Sequence, residues 1–292
     1  MPKLGRRLPE NVPGEFYVDD TCIDCDTCRM VAGATFARSV AREQSFVARQ
    51  PVTAEEERRA LMALVACPTA SIGTVSRLPA ASAADAFPEP IVPDVLYCGY
   101  AAESSFGASS YLIRRAGGNV LVDSPRGAHR LFARLADLGG VATMFLTHRD
   151  DVADHRKVRE RFGCERILHE DDVSTGTSDV ERKLSGREPV LLAPDLLAIP
   201  VPGHTRGSMA LLYGETFLFT GDHLWWSPIR GCLHASRGVC WYSWSEQLRS
   251  LELLLEYRFT WILPGHGRRF QAPTVAAMRA EIEALVARLG RR

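Results

Sequence analysis

The chain has 292 residues, of which 46% are hydrophobic and 24% charged, and its 35 basic side chains balance its 35 acidic ones. These fractions are ordinary for a globular protein with enough apolar material for a core, in one large domain or in one medium-sized and one small domain. Nucleic-acid-binding proteins normally carry a basic excess, so the neutral balance does not favour a nucleic-acid partner.

The cellular location is predicted from segments that the sequence lacks. No apolar run is long enough to span a bilayer, and the basic start MPKLGRRLPENVPGEF is not followed by the apolar stretch of a secretory signal. We therefore expect a cytoplasmic protein without a membrane partner. In a reducing compartment its eight cysteines indicate metal or redox chemistry rather than disulfides.

Four of the cysteines form a pattern in the first 75 residues. Cys22, Cys25 and Cys28 are separated by two residues each, so a curled loop can bring three thiolates to one iron–sulfur cluster. The fourth ligand has to come from a distant part of the chain, and Cys67 supplies it. Pro68 follows Cys67, and a proline after the last cysteine is typical of ferredoxins.

This C-x2-C-x2-C…C-P arrangement, with VDD shortly before it, resembles the single-cluster ferredoxins over residues 1–75. The resemblance implies a small N-terminal α+β ferredoxin-like domain that holds one [4Fe–4S] cluster through all four cysteines. A structural zinc site is the alternative, although zinc-binding cysteines usually come in pairs. The other cysteines are scattered and are expected to be small buried side chains, with a redox pair of Cys232 and Cys240 as the less favoured interpretation.

Residues 76–94 are rich in Ala, Ser and Pro and have no sustained period, which predicts a linker. Residues 95–292 alternate strand-like and helix-like segments, as an α/β domain does. TMFLTH, SMALLY, TFLFTGD and TWILPGH are predicted strands, and Gly214-Glu215 is suited to a hairpin turn between the second and the third.

Three helices are predicted in the same part of the chain. DHRKVRERFG is expected to end at Gly163, and SWSEQLRSLELLLEY is a second helical run. TVAAMRAEIEALVARLGRR begins after the N-cap candidate Thr274 and carries one apolar stripe. The residues of that stripe are Val275, Met278, Ile282, Leu285 and Leu289.

Histidine and aspartate residues gather in four turns at predicted strand ends, namely residues 147–155, 202–208, 220–223 and 264–267. Imidazole and carboxylate groups suit Zn²⁺, Fe²⁺ and Mn²⁺. Two neighbouring metal ions need about six or seven such ligands with a bridging carboxylate, and these turns supply that number. The candidate ligands are His148, Asp150, Asp154, His155, His204, Asp222 and His266.

GHTRGS, TGD and PGHG, in this order after a T-H…D-H segment, resemble the metallo-β-lactamase superfamily, and SSYLIRRAGGNVLVDSP resembles its opening hairpin. The resemblance covers residues 95–292 and implies an αββα sandwich with two divalent metals at one edge of its sheets. The roles it implies are as follows: His148, Asp150 and His204 hold one metal, Asp154, His155 and His266 hold the other, Asp222 bridges them, and Asp123 is structural.

One segment departs from the family pattern His-x-His-x-Asp-His. Asp150 replaces the second histidine, and two extra residues precede Asp154 and His155. An acid at this position also occurs in flavodiiron proteins, and it favours iron or manganese over zinc. Asp151 is the alternative to Asp150 as a ligand, and whether both metal positions are filled stays open.

The resemblance implies a metal-dependent hydrolase that cleaves an ester, thioester, lactone or similar small-molecule bond through a metal-bound hydroxide. Asp154 is the predicted catalytic residue, because it can orient that hydroxide or move its proton. GHTRGSMALLY is most similar to the glyoxalase II-like group.

The alternative function is a redox enzyme. In that case the [4Fe–4S] cluster passes electrons from a transfer partner to a non-haem di-iron site that reduces oxygen, nitric oxide or a sulfur species. In a third hypothesis the cluster module is structural or sensory and is attached to an ordinary hydrolase.

The remaining candidates are predicted to have lesser roles. We expect His129 on the surface, His169 at a strand end, His234 in a loop and His223 in a structural role. Side chains near the ligand segments that can face a substrate are Arg149, Arg206, Trp225, Trp226 and Trp241.

Overall fold

The computed structural model describes residues 2–290; Met1, Arg291 and Arg292, including the last two residues of the predicted C-terminal helix, lie outside the described part. The described residues form two compact units. The first contains the chain up to Ala142 together with Ala153–Gly163, and the second contains Thr143–Val152 and the chain from Cys164 onward. The domain boundaries at residues 75 and 94 stay a prediction.

The first unit combines short strands with five helices. Its strands are β1 (Phe16–Val18), β2 (Phe36–Ser39), β3 (Gln44–Val47), β4 (Ile72–Thr74), β5 (Glu89–Val92), β6 (Val95–Tyr97), β7 (Tyr111–Ile113) and β8 (Val120–Val122). Its helices are α1 (Thr27–Val31), α2 (Ala54–Ala66), α3 (Ala81–Asp85), α4 (His129–Asp137) and α5 (His155–Phe162).

The N-terminal part of this unit is a small α+β structure. β1 pairs antiparallel with β4, and β2 pairs antiparallel with β3. Helix α2 is capped by Thr53, whose hydroxyl accepts the backbone N–H of Glu56 at 3.2 Å, and three glutamates in its first turn favour the positive end of the helix dipole. The helix ends directly before Cys67, so its C-terminus places the fourth cysteine.

The segment 76–94, predicted as a linker, contains helix α3 and strand β5. β5 begins an antiparallel ladder that continues through β6 and β7 to β8, the latter two being the predicted opening hairpin. Phe87, just before β5, is fully buried and meets the rings of Tyr97 and Tyr100 edge-on at 5.9 and 5.8 Å. This burial orders the segment, and a composition rich in Ala, Ser and Pro does not reveal it.

The second unit contains two larger sets of strands and two helices. Its strands are β9 (Thr143–Phe145), β10 (Glu165–His169), β11 (Arg182–Leu184), β12 (Val190–Ala193), β13 (Leu196–Pro200), β14 (Met209–Tyr213), β15 (Phe217–Gly221), β16 (Trp225–Ser227), β17 (Cys232–His234), β18 (Trp261–Pro264) and β19 (Phe270–Gln271). Its helices are α6 (Trp244–Leu253) and α7 (Val275–Gly290).

In this unit β9, β10 and β11 are parallel neighbours. A six-stranded sheet has the order β12-β13-β14-β15-β18-β19, in which β15 and β18 are parallel and the other pairs are antiparallel. β16 and β17 form a separate hairpin. The apolar residues of the sheet share a buried core with α6 and α7, which leaves the loops at the strand ends available for polar side chains.

The predicted turns and helix ends of this part are confirmed. Gly214 and Glu215 both have positive φ (58° and 47°) at the centre of the turn between β14 and β15, which is closed by the N–H of Thr216 donating to the carbonyl of Tyr213 at 3.1 Å. Gly163 ends α5, and the hydroxyl of Thr274 accepts the backbone N–H of Ala277 at the start of α7 at 3.1 Å. Four residues of the predicted α7 stripe are buried, while Val275 is half-buried. Within residues 2–290, none of the helices has the length and apolar character needed to cross a bilayer.

Candidate metal centres

Cys22, Cys25, Cys28 and Cys67 line one small cavity in the first unit. The rest of its wall is largely apolar or hydroxyl-bearing and includes Val18, Ile23, Ser45, Thr69, Ser71 and Ile72. Cys28 and Cys67 are buried, whereas Cys22 and Cys25 are partly exposed. The structure thus gathers the four predicted cluster ligands around one space.

Backbone and side-chain groups prepare this cavity for an iron–sulfur cluster. The N–H of Ser45 donates to Cys22 Sγ and the N–H of Ser71 to Cys67 Sγ, both at 3.3 Å. Burial raises the pKa of Cys25 to about 11 and raises that of Cys28 further still. Buried thiols with such pKa values become thiolates only beside a strong positive charge, and the iron ions of a cluster supply that charge.

The loop that carries Gly107 lies against the cysteines of this cavity, and both belong to the first unit. Gly107 has φ +83°, and a Cβ placed on it would lie 2.6 Å from Cys25 Cβ and 2.8 Å from Cys25 Sγ. The hydroxyl of Thr27 donates to the carbonyl of Gly107 at 3.2 Å. Only a glycine therefore allows this loop to approach the cluster ligands so closely.

The second centre lies in the second unit, where four loops at strand ends meet. His148 follows β9, His204 follows β13, Asp222 follows β15 and His266 follows β18. The ligand atoms of His148, Asp150 and His204 lie within 4.8 Å of one another, and those of His148, Asp151 and Asp222 do the same. Each of these groups is close enough to hold a metal ion.

Asp222 occupies the middle of this arrangement. Its Oδ2 lies 3.8 Å from Nε2 of His148 and 3.7 Å from Nε2 of both His204 and His266. A carboxylate surrounded by three imidazole nitrogens is placed as a bridging ligand would be.

Asp150 and Asp151 approach different histidines of the centre. Asp150 Oδ2 lies 3.2 Å from Nε2 of His204, and its side chain is 43% exposed. Asp151 is buried, and its Oδ1 lies 3.9 Å from Nε2 of His266. The sequence left these acids as alternatives for one position, whereas the structure brings both to the centre.

Two buried atoms of the centre have no hydrogen-bond partner within the described chain, namely Nε2 of His148 and Oδ1 of Asp222. Unpaired buried polar atoms are costly, and a bound cation would satisfy both. Burial lowers the pKa of His148 to about 4, so its imidazole is neutral and able to bind a metal at neutral pH. This donor chemistry fits a divalent cation.

The hydrogen bond between His204 and Asp150 changes the pKa of both side chains. Burial by itself would lower the pKa of His204, but the hydrogen bond to Asp150 and the charge of Asp222 outweigh burial and raise it. The same hydrogen bond lowers the pKa of Asp150. A cation between the two side chains would replace the proton that they share.

Backbone and hydroxyl groups orient the two inner histidines. Nδ1 of His204 donates to the carbonyl of Val239 at 2.5 Å, which leaves Nε2 facing Asp150 and Asp222. Nδ1 of His148 lies 3.0 Å from the hydroxyl of Thr147. Such contacts hold a ring in its ligating orientation and tautomer.

Asp172 connects two of the loops that carry candidate ligands, a role that no sequence motif predicts. Its buried carboxylate accepts the hydroxyl of Thr205 at 2.5 Å and the backbone N–H groups of Gly207 and Arg149 at 2.9 and 3.1 Å. The loops that carry His148 and His204 thus share one buried anion. Its partners lie 23 to 35 residues away, so no local motif marks it.

Asp154 and His155 are not members of either group of candidate ligands. In the first unit, Asp154 Oδ2 accepts the N–H of Gly127 at 2.7 Å and Oδ1 lies 2.9 Å from Lys157 Nζ. These contacts outweigh partial burial and lower the pKa of Asp154. His155 is buried at the start of α5, and Asp123, the predicted structural acid, is buried after β8.

Two of the other histidines, His129 and His169, occupy the positions expected for them, while the structural role expected for His223 stays a prediction. His129 is exposed on α4, while His169 is buried at the end of β10, where Nδ1 accepts the N–H of Asp171. His234 is the exception, because it is the last residue of β17 rather than a loop residue. His223 is buried, and neither of its ring nitrogens has a hydrogen-bond partner among residues 2–290.

Comparison with known proteins finds similarity for both the N-terminal part and the rest of the chain. Residues 18–74 match the family described as the 4Fe–4S single cluster domain of Ferredoxin I. A metallo-β-lactamase family protein from Thermus thermophilus has a similar structure, with a TM-score of 0.50 and 20% identity over 69% of this chain and 81% of that one. The predicted fold class, α/β of the metallo-β-lactamase type with a small N-terminal ferredoxin-like part, is confirmed.

A curated relative is more similar in sequence. The hydroxyacylglutathione hydrolase of Anaeromyxobacter dehalogenans is 35% identical over 130 residues, which are 43% of this chain. The match spans 49% of that relative, about half of its length. The chain therefore combines a [4Fe–4S] cluster domain with a metallo-β-lactamase fold that has a glyoxalase II-like homologue.

Proposed function

We propose that this protein is a metal-dependent hydrolase that cleaves an ester, thioester, lactone or related bond in a small molecule. The observation that carries the proposal is the convergence of three imidazoles on Asp222, with the carboxylates of Asp150 and Asp151 beside those imidazoles. Two buried atoms of this set, His148 Nε2 and Asp222 Oδ1, have no hydrogen-bond partner in the described chain. The relative named for the hydrolysis of hydroxyacylglutathione supports a thioester as the first substrate to test.

The donor set divides into two halves that share Asp222. We assign His148, Asp150 and His204 to one cation, because their ligand atoms form one compact group. We assign Asp151 and His266 to the other, because Nε2 of His266 lies 3.9 Å from Oδ1 of Asp151 and 3.7 Å from Oδ2 of Asp222. In this assignment Asp151 takes the place that the family resemblance gave to Asp154.

Two divalent cations, when bound, would lower the pKa of a shared water and polarise the bond to be cleaved. The protein's part is to hold the ligands in place before the substrate arrives. Val239 and Thr147 fix the two inner imidazoles, and Asp172 fixes the loops that carry them. Asp150 is the most exposed carboxylate of the set, so it is placed to accept a proton from an attacking water.

A redox function is the second candidate, and two features favour it. Asp150 offers an oxygen ligand where the family pattern has a histidine nitrogen. An oxygen ligand favours iron or manganese over zinc at this position. The same chain also carries a cluster cavity, and hydrolysis needs no electrons. In that function the cluster would deliver electrons from a partner to a non-haem di-iron centre.

One set of measurements separates the two functions. The protein is purified without oxygen, and iron, sulfide, zinc and manganese are quantified. Hydrolysis of an S-(2-hydroxyacyl)glutathione is then measured with the cluster oxidised and with the cluster reduced by dithionite. The hydrolase proposal predicts turnover that is lost in Asp222→Asn and is indifferent to the cluster's redox state, with Asp171→Asn as the matched control.

The opposite outcome supports the redox enzyme. The hydrolase proposal is wrong if two results are found together. The first is that no wild-type preparation hydrolyses esters or thioesters, and the second is that oxygen rapidly reoxidises the dithionite-reduced cluster only when the second centre holds iron. If reoxidation is slow and independent of Asp222, the cluster has a structural or sensory role.

A further inference from the structure

An exposed tryptophan lies directly beside the candidate metal centre. The side chain of Trp241 is 60% exposed, and its ring centroid lies 6.1 Å from that of His204, with 57° between the ring planes. Contiguous exposed apolar side chains mark ligand-binding or partner surfaces, and Val239 and Tyr242 on the same segment are exposed as well. Packing does not explain this ring, because most of it faces solvent.

The segment that carries Trp241 is attached firmly to the turn that carries His204. The backbone N–H groups of Trp241 and Tyr242 both donate to the carbonyl of His204, at 2.9 and 3.1 Å. Nδ1 of His204 donates in return to the carbonyl of Val239, and Cys240 Sγ donates to the neighbouring carbonyl of Gly203 at 3.0 Å. These bonds fix the backbone that carries the indole relative to the metal-facing nitrogen of His204, so a ligand that binds the indole orders only the side chain of Trp241.

The other side chains near the ligands are already engaged. Trp226 stacks on Phe270 with centroids 4.3 Å apart. Trp225 packs against Gly267 and meets His234 edge-on at 5.4 Å.

The two arginines next to the ligands have acidic neighbours. Arg149 lies 3.9 Å from Asp150, and Arg206 lies 3.2 Å from Asp171. Among the predicted substrate-facing residues, Trp241 therefore offers the largest exposed apolar face.

We propose that Trp241 is a substrate-binding residue on which a flat aromatic group of the substrate stacks. The inference rests on the proposed hydrolase function and adds a substrate class, an ester or thioester with an aromatic ring close to the bond that is cleaved. The indole lies about 6 Å from the imidazole of His204, a distance that a few bonds span. The aromatic ring of the substrate should therefore be close to the carbon at which the bond is cleaved. Offset stacking of aromatic rings adds affinity beyond simple burial.

The kinetic test uses two thioesters of the same thiol, N-acetylcysteamine, with a phenylacetyl or an acetyl group. Trp241→Ala should raise KM for the phenylacetyl thioester about tenfold and leave kcat nearly unchanged, because binding is lost equally in the ground state and the transition state. KM for the acetyl thioester should not change, and Trp241→Phe should restore most of the difference. Tyr242→Ala is the matched control, since this neighbouring aromatic residue is also exposed and its backbone contact is unaffected.

A binding test does not depend on turnover. Phenylacetate and acetate are titrated calorimetrically into protein loaded with zinc or manganese. The wild type should prefer phenylacetate, and Trp241→Ala should reduce that preference about tenfold. A wild type without preference, or a preference kept in Trp241→Ala, overturns the inference.

Two further outcomes are distinct. If no thioester is hydrolysed but the preference is lost in Trp241→Ala, the hydrolase function fails while the aromatic-binding surface stands. If Trp241→Ala changes the oligomeric state measured by light scattering, the surface belongs to a contact between copies of the chain, and the inference is wrong.

Discussion

The hydroxyl of Thr205 donates a hydrogen bond to the buried carboxylate of Asp172 at 2.5 Å. Thr205 is the residue after His204, and the same carboxylate accepts the N–H of Arg149, the residue after His148. One carboxylate outside the donor set thus connects two loops that carry candidate metal ligands. Such supporting groups commonly influence metal affinity as strongly as a weak ligand does.

Asp172→Asn should therefore weaken divalent-metal binding about 10- to 100-fold, because the amide cannot accept all three hydrogen bonds. Competition with a chromophoric chelator measures the affinity. Asp171→Asn is the matched control, since this neighbour is partly exposed and its carboxylate pairs with the exposed Arg206. Equal affinities in the two variants would contradict the role assigned to Asp172.

Gly107→Ala should impair assembly of the [4Fe–4S] cluster. The added Cβ would lie 2.6 Å from Cys25 Cβ, so either the covering loop or the cluster ligand has to move. Gly186→Ala is a close control, because Gly186 has nearly the same φ (+82° against +83°) with nothing within 4 Å of the new Cβ. Both variants share the backbone strain of about 1 kcal/mol, and Gly107→Ala alone should lose cluster iron and sulfide on quantification.

Protein freed of divalent cations should become less stable as the pH falls through the range from about 6.5 to about 4. Burial lowers the pKa of His148 to about 4 and, together with the charge of His204, that of His223 to about 3. In this range the unfolded chain binds protons that the folded chain does not, so the free energy of unfolding falls with pH. Urea denaturation at several pH values measures the slope.

His223→Leu provides the corresponding control for the pH dependence. The variant removes one titrating imidazole whose ring nitrogens have no partner among the described residues. The slope between pH 6.5 and 4 should therefore become shallower. A slope equal to that of the wild type would contradict the lowered pKa of His223, because its imidazole would then bind protons equally in the folded and the unfolded chain.

Much of the fold could be predicted because its signals are local. The hairpin at Gly214-Glu215 needs two positive φ angles, and the helix that ends at Gly163 carries its own stop signal. The cysteine spacing likewise predicted a group of thiols that the structure gathers around one cavity.

Other features depend on distant contacts, and the sequence did not reveal them. Phe87 orders the segment predicted as a linker by meeting rings ten and more positions further along the chain. Asp172 acts through loops that no motif connects to it. The position of the neighbouring acids was equally hidden. The spacing from His148 favoured Asp150 over Asp151 as a ligand, whereas the structure places both near the histidines of the centre, Asp151 beside His266 and Asp150 beside His204.

The metal content of three proteins tests the central claim most directly. The three proteins are the wild type, Asp151→Asn and Asp154→Asn, each purified without oxygen and loaded with manganese or zinc. Elemental mass spectrometry quantifies their metals, and a separate assay quantifies their sulfide. We predict about four irons from the cluster and about two further cations in the wild type, about one further cation in Asp151→Asn, and the full complement in Asp154→Asn. A wild type without cations beyond the cluster iron, or a loss of cations in Asp154→Asn but not in Asp151→Asn, would contradict the proposed centre.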